Sequence, residues 1–163
     1  MSKKKQHHDK TNVMRLLDQA HVSYEANYYS TDDGALDGLS VAKKIGQNPD
    51  MVFKTLVCQG HSGNFCVFVV PVAEELNLKQ GAKAAGEKSI AMIPQKILLP
   101  TTGYIHGGCS PLGMKKAFPT FIDSSAESQE MMYVSAGKIG TQVGLSPKDL
   151  AALSHAEFAQ IAK

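Results

Sequence analysis

The sequence lacks the features that mark disulfide-rich, secreted and membrane-spanning proteins. Its three cysteines, Cys58, Cys66 and Cys109, are an odd number without paired spacing, so they indicate no disulfide framework and fit a reducing compartment. No stretch approaches the roughly 18 consecutive apolar residues of a membrane span, and no apolar run of signal length follows the basic amino terminus. These absences predict a cytoplasmic protein without a membrane partner.

Motifs for metal and nucleotide binding are absent as well. The six histidines have no metal-ligand spacing, and the cysteines supply no zinc motif. Gly81 and Gly86 have the separation of a phosphate-binding loop, but Glu87 occupies the place of its lysine. We therefore expect neither a metal nor a cofactor.

Outside the amino terminus, neither sign of charge is in clear excess. The chain has 17 basic and 15 acidic residues, and residues 1–10 hold four of the lysines and one of the acids. The remainder therefore carries 13 basic and 14 acidic residues. A nearly neutral body is unsuited to coating DNA or any duplex, which requires many phosphate contacts, although it permits a local contact with phosphate.

Length and composition predict one domain. A chain of 163 residues with 43% hydrophobic content can bury one sizeable core, and no composition shift marks a linker. We expect a basic, disordered tail over residues 1–10 and a single domain over residues 11–163.

Apolar periodicity predicts short helices and strands in irregular order. Helices are expected over residues 13–20, 40–45, 76–85 and from 146 onward, with a last amphipathic turn or two over 156–161. Thr11 or Asn12 can cap the first helix and Ser40 the second. Strands are expected over residues 22–28, 51–58 and 65–72, around 121, and over 132–134 and 142–145. Residues 93–99 fit either a strand or a buried helical turn.

The two strongest strand patterns, over residues 51–58 and 65–72, are joined by a glycine-containing turn at residues 60–63. This spacing predicts a central hairpin. Because strands and helices do not alternate regularly, the pattern favours an α+β fold whose mixed sheet is flanked by helices and curls toward a barrel.

The segment over residues 103–113 concentrates four glycines and a proline. Its backbone amides can approach and bind an oxyanion or phosphate, although a tight turn without a ligand fits the composition equally well. Lys54, within an apolar strand, is either exposed to solvent or a donor to an anionic ligand. Four further lysines could add to that attraction: Lys43, Lys44, Lys115 and Lys116.

Cys109 is a possible thiol nucleophile because it lies among polar residues and loop amides that could lower its pKa. The sequence supplies no base with a defined orienting partner, so simple packing of a small residue beside glycines is the preferred interpretation.

Four blocks, over residues 52–57, 102–105, 107–116 and 133–138, resemble the signatures of the YbaK/EbsC family in order and spacing. The resemblance runs from about Thr11 to Leu153. It implies an aminoacyl-tRNA editing fold that acts in trans with prolyl-tRNA synthetase and removes cysteine wrongly attached to proline tRNA. Pocket binding discriminates weakly between side chains of similar volume, so a second hydrolytic site is useful.

By this resemblance, Lys54 holds the terminal adenosine or its phosphate at the 3′ end of the mischarged tRNA. The amides of Gly107 and Gly108 face the ester carbonyl. The aminoacyl pocket is formed by Tyr29, which Tyr28 could replace, together with Ser110 and Ser135.

The mechanism that the family implies is substrate-assisted, because the cysteine thiol attacks its own ester while the enzyme stabilises the oxyanion. The chain departs from the family pattern at two positions. Ala136 stands where a glycine is usual, and His106 stands where a different residue is common. Two alternatives stay open: a deacylase for another small mischarged amino acid, and a non-catalytic module that binds tRNA ends or a synthetase.

Overall fold

The structure is a computed structural model, and it describes residues 9–163. Most of the expected basic tail therefore lies outside the described residues. Of that segment Asp9 and Lys10 are described, and Lys10 forms an ion pair with Asp18 of the first helix.

Helices and strands follow one another irregularly along the described part of the chain. The α-helices are α1 (Asn12–Gln19), α2 (Gly38–Lys44), α3 (Leu78–Ala85), α4 (Leu98–Thr102) and α5 (Pro147–Ser154). The strands are β1 (Glu25–Tyr28), β2 (Phe53–Gly60), β3 (Phe65–Pro71), β4 (Ile90–Met92), β5 (Thr120–Asp123), β6 (Met132–Lys138), β7 (Thr141–Leu145) and β8 (Glu157–Ala159). Short 3-10 turns cover Pro49–Met51, Gln95–Ile97 and Ser124–Ser128.

The described strands form two sheets. The larger sheet has the order β4-β2-β3-β5-β8, and the smaller has the order β1-β7-β6. The larger sheet is mixed, because β2 pairs antiparallel with β3 and β4 while β5 runs parallel to β3 and β8. The predicted α+β class is confirmed. The sheets meet at a parallel bridge between Val52 and Tyr133 and do not close into a barrel.

The predicted helix starts are confirmed at α1 and corrected at α2. The Thr11 hydroxyl accepts a hydrogen bond from the Met14 amide at 3.2 Å, which satisfies a free amide of the first turn. At α2 the cap is Asp37 rather than Ser40. Its carboxylate accepts from the Ser40 amide at 3.1 Å and from the Ser40 hydroxyl at 2.6 Å, so a charged acceptor three residues upstream starts the helix earlier.

The central hairpin is confirmed, and its register determines which backbone groups remain available. The Val72 amide donates to the Val52 carbonyl at 2.8 Å, and the Gly60 amide donates to the Asn64 carbonyl at 2.8 Å. Since bonding alternates along an antiparallel pair, the even-numbered residues of β2 bond to β3. The odd-numbered residues direct their amides and carbonyls to the opposite edge.

Only the far end of that opposite edge is covered by β4. Strand β4 pairs with Cys58 to Gly60, and the Ile93 amide adds a hydrogen bond to the Val57 carbonyl at 3.1 Å. Within the described chain, β4 therefore stops short of Thr55. The amide and carbonyl of Thr55 lie on an open strand edge.

The expectation for the carboxyl terminus was wrong. Residues 156–161 were expected to form an amphipathic helical turn, but they contain β8, which runs parallel to β5. The Asp123 carboxylate accepts hydrogen bonds from the Ile161 amide at 3.0 Å and the Ala162 amide at 2.9 Å. These distant contacts hold the segment extended.

Candidate active site

A cavity of about 350 Å³ opens beside the uncovered edge of β2. Its walls come from β2, the start of α2, the segment between β4 and α4, the glycine-rich loop, and the smaller sheet. Its lining is mostly apolar with a few convergent polar groups, which is the usual character of a small-ligand site.

Four of the predicted site residues meet in this cavity. They come from four separate parts of the chain: Tyr29, Lys54, Gly107 and Ser135. Of the two neighbouring tyrosines it is Tyr29 that lines the cavity, while Tyr28 lies on β1 with 39% of its surface exposed.

Gly108 and Ser110, predicted to belong to the site, lie outside the cavity lining. The Gly108 amide donates to the Ile105 carbonyl at 3.0 Å. Ser110 is completely buried, and its hydroxyl accepts from the Leu112 amide at 3.3 Å. Both residues hold the loop in shape.

The glycine-rich loop is fixed by hydrogen bonds of its own. The Tyr104 hydroxyl donates to the Leu112 carbonyl, and the Tyr104 amide donates to the Thr102 hydroxyl at 3.0 Å. Gly107 has φ +91°, a conformation that L side chains rarely adopt. No acceptor among the described residues pairs with the Gly107 amide. The loop therefore presents the Gly107 amide without an acceptor at the cavity wall, and within the described chain the same holds for the amides of His106 and Cys109.

Lys54 is shared between the cavity and an exposed acid. Its side chain is 29% exposed, and its Nζ lies 3.8 Å from Oε2 of Glu75, whose side chain is 78% exposed. An ion pair this exposed is weak. The ammonium can therefore leave Glu75 for an anionic ligand at little cost.

The Cys109 thiol lines the cavity but is poorly suited to nucleophilic attack. Burial raises its pKa to about 12, although a hydrogen bond with Thr102 acts in the opposite direction. A thiol with that pKa stays protonated near neutral pH, and the thiolate is the reactive form. The geometry supports the packing interpretation over the thiolate hypothesis.

Lys44 organises the loop beside Tyr29 and is therefore engaged within the fold. Its Nζ donates to the carbonyls of Ser30 and Ala35 at 2.8 and 2.9 Å and to the Asp33 carboxylate at 2.7 Å. It also lies 5.9 Å from the centre of the Tyr29 ring. The hydrogen bond from Lys44 holds the pKa of Asp33 below its ordinary value.

Two polar residues of the cavity were missed by the sequence reasoning. They are Thr55 and Gln142, and Thr55 Oγ1 and Gln142 Oε1 are both buried without a hydrogen-bond partner among the described residues. Each is a polar residue inside an otherwise apolar strand pattern. That signal was present, but it does not show which strands face each other.

Within residues 9–163, no group of three or more His, Cys, Asp or Glu side chains could hold a metal ion. None of the helices in that range is long and apolar enough to cross a membrane.

Comparison with known proteins identifies relatives along most of the chain. The family model for the aminoacyl-tRNA editing domain matches residues 37–153. A protein of Enterococcus faecalis named as a candidate Cys-tRNA(Pro)/Cys-tRNA(Cys) deacylase, EbsC, is 42% identical over 158 residues. The alignment covers 97% of this chain and 96% of that protein.

Two crystal structures share the fold at low sequence identity. One is that of a candidate trans-editing enzyme for prolyl-tRNA synthetase, with a TM-score of 0.79 and 19% identity over 95% of this chain and 99% of that one. The other is that of a hypothetical protein, with a TM-score of 0.83 and 18% identity over 94% of this chain and all of that one.

Proposed function

The chain belongs to the aminoacyl-tRNA editing domain family and is an aminoacyl-tRNA deacylase; from this premise we propose that it removes cysteine wrongly attached to proline tRNA. The observation that carries the proposal is the meeting of Lys54, Gly107 and Ser135 around one cavity that has an apolar lining. The name of the Enterococcus relative supports the choice of cysteine.

The proposed reaction uses the thiol of the substrate as its nucleophile. The sulfur attacks the ester carbonyl and forms a carbon–sulfur bond, the carbon–oxygen bond to the ribose breaks, and the thiol proton passes to the ribose oxygen. Water then opens the resulting four-membered thiolactone to free cysteine. This route needs no nucleophile from the protein, which agrees with the protonated state of Cys109.

The protein contributes position and charge stabilisation. The Gly107 amide stabilises the developing oxyanion, and loss of one such donor typically costs about 3–4 kcal/mol of transition-state stabilisation. Gly108 and Ser110 keep that amide in place. Lys54 holds the terminal adenosine or its phosphate, and Tyr29 and Ser135 shape the aminoacyl pocket, where the reacting groups are brought together.

The deciding experiment follows the release of labelled amino acid from cysteinyl-, alanyl- and seryl-tRNA(Pro) and from cysteinyl-tRNA(Cys). Wild type should release cysteine preferentially. Lys54→Ala should be at least tenfold slower, while the exposed Lys79→Ala and the cavity variant Cys109→Ala should stay within about threefold of wild type.

An S-methylcysteinyl-tRNA(Pro) substrate tests the role of the thiol directly, because its sulfur carries no proton and cannot displace the ester. Wild type should not release it. Release at the cysteinyl rate would exclude the substrate-assisted route, and release of no amino acid from any tRNA would leave only a binding role.

We also propose that the deacylase works beside prolyl-tRNA synthetase, in trans. The fold shared with a candidate trans-editing enzyme for prolyl-tRNA synthetase supports this pairing. If it is correct, adding the synthetase together with tRNA(Pro), ATP and cysteine should lead to continuous consumption of ATP without accumulation of cysteinyl-tRNA(Pro). Accumulation at the level seen without the deacylase would count against it.

A further inference from the structure

The cavity contains two acceptor atoms that the proposed roles above leave unused. Gln142 has 6% of its surface exposed, and its Oε1 is buried without a partner, as is Thr55 Oγ1. Leaving a buried acceptor unpaired costs free energy that a ligand recovers when it donates a hydrogen bond there. Gln142 Oε1 can only accept and the Thr55 hydroxyl can accept as well, so a donor on a ligand would satisfy both.

Gln142 lies within a polar row that crosses the smaller sheet. In register it is opposite Ser135 of β6 on one side and Asn27 of β1 on the other. The Asn27 Nδ2 is also buried and unpaired, so no hydrogen bond joins it to Gln142 Oε1. Of these two residues, Gln142 lines the cavity.

The second acceptor comes from the facing sheet. Thr55 stands on the open edge of β2, where β4 no longer covers the strand, and its unpaired hydroxyl oxygen belongs to a residue that lines the cavity. Ser135 adds a third oxygen, since its Oγ already accepts from the Gly137 amide at 3.1 Å and has further acceptor capacity. Three strands thus supply neutral oxygens to one cavity.

We propose that Gln142 and Thr55 form a subsite for the α-ammonium group of the aminoacyl ester, and this inference rests on the proposed function of the same cavity. An ammonium is a strong donor with three hydrogens and no acceptor, so it matches a set of oxygens. A thiol is a weak donor, and the ester carbonyl is an acceptor. Of the groups near the reacting carbon, the ammonium is therefore the best complement.

The subsite explains how an editing site can hold its substrate without reading the side chain. The ammonium is common to all aminoacyl esters, so its contacts fix the position of the α-carbon relative to the Gly107 amide. The side chain of the substrate amino acid is then distinguished only by whether it fits the space left in the cavity and by its own reactivity. Gln142 accordingly positions the substrate and makes the site prefer esters that carry an α-amino group over other esters.

The test measures binding, so that it does not depend on turnover. The probes are 3′-deoxyadenosine derivatives that carry cysteine or alanine through a stable 3′-amide, each paired with an analogue in which a hydroxyl replaces the α-amino group. Titration calorimetry on wild type should show at least tenfold tighter binding of the amino form within each pair.

Gln142→Leu should abolish this preference by weakening the amino probes alone. Gln142→Glu keeps the size and offers only acceptors, so it should keep or increase the preference. The matched control is Gln59→Leu, a change on the exposed end of β2 outside the cavity lining, which should behave as wild type. Thermal melts verify that each variant is folded.

Two results would overturn the subsite. One is equal binding of amino and hydroxyl probes by wild type, and the other is an undiminished preference in folded Gln142→Leu. Loss of the preference in Gln142→Glu would also overturn it, because the amide would then act as a donor. The amino preference is expected for both side chains. The release of labelled cysteine from cysteinyl-tRNA(Pro) tests the proposed function separately, so a failure of the function and a failure of the subsite can be told apart.

Discussion

The electrostatic environment of Lys54 can be altered by a substitution outside the cavity lining. Glu75 lies 3.8 Å away and is highly exposed, so it competes with any anionic group of the substrate for the same ammonium. Because exposed ion pairs contribute roughly 0–1 kcal/mol, the competition is modest.

Glu75→Gln should therefore lower KM for the tRNA substrate by up to about fivefold and leave kcat nearly unchanged. Steady-state release of labelled cysteine measures both constants. The neighbouring exposed Glu74→Gln serves as control and should change neither. A higher KM in Glu75→Gln would contradict competition between Glu75 and an anionic group of the substrate for Lys54.

The segment that follows β8 is held by the Asp123 carboxylate. Burial taken alone raises the pKa of Asp123, but hydrogen bonds from Ser125, Ile161 and Ala162 outweigh it and hold the pKa below its ordinary value. A depressed carboxyl pKa stabilises the fold at neutral pH, and this contribution is lost as the pH falls through the acidic range of that group.

Asp123→Asn should lower the free energy of unfolding at pH 7 by about 1–3 kcal/mol, because three amides lose a charged acceptor. The difference from wild type should shrink as the pH is lowered from 7 through the depressed pKa of the wild-type carboxyl. Urea unfolding across this pH series measures the change. Asp32→Asn, in an exposed loop, should show no such pattern, and a pH-independent loss in Asp123→Asn would contradict the assignment.

Local signals predicted elements more successfully than contacts between distant segments. The hairpin of β2 and β3 follows from apolar strand patterns and an intervening turn, and α1 follows from periodicity and the Thr11 cap. The strand at β8 could not be read locally, because its extended form depends on pairing with β5 and on Asp123. Tertiary contacts overrode a helix-like composition there.

The site was predictable to the same extent. Lys54 and the glycine-rich loop stood out by residue type and composition, the family resemblance singled out Gly107 within that loop, and Lys54 and Gly107 both line the cavity. Gly108 could not be separated from its neighbour, because only the three-dimensional turn reveals that its amide is engaged by Ile105. Gln142 was overlooked because its proposed role depends on a side-chain oxygen that lacks a hydrogen-bond partner in the fold. The spacing of residues in the sequence does not show this.

For the molecule as a whole, the nearly neutral body limits how much of the tRNA it can hold. The proposed contacts reach the 3′ end through Lys54, and Lys44 is engaged in the fold. Affinity for nucleic acid falls with salt in proportion to the number of phosphates contacted.

KM for cysteinyl-tRNA(Pro) should therefore rise by only about tenfold or less between 50 and 200 mM salt. Initial rates across a salt series measure the slope, and cysteinyl-tRNA(Cys) should give the same slope. A rise of about a thousandfold would indicate six or more phosphate contacts and a body-binding mode instead.

The burial of all three cysteines has a consequence for an enzyme whose proposed intermediate is a thiolactone. Such a strained ring is an acylating agent, and any thiolate it met would be converted to a thioester. Burial raises the pKa of Cys58 and Cys109 to about 12 and that of Cys66 to about 11, so each remains a thiol. The enzyme is in this way protected from acylating itself, and the ring is left for water to open.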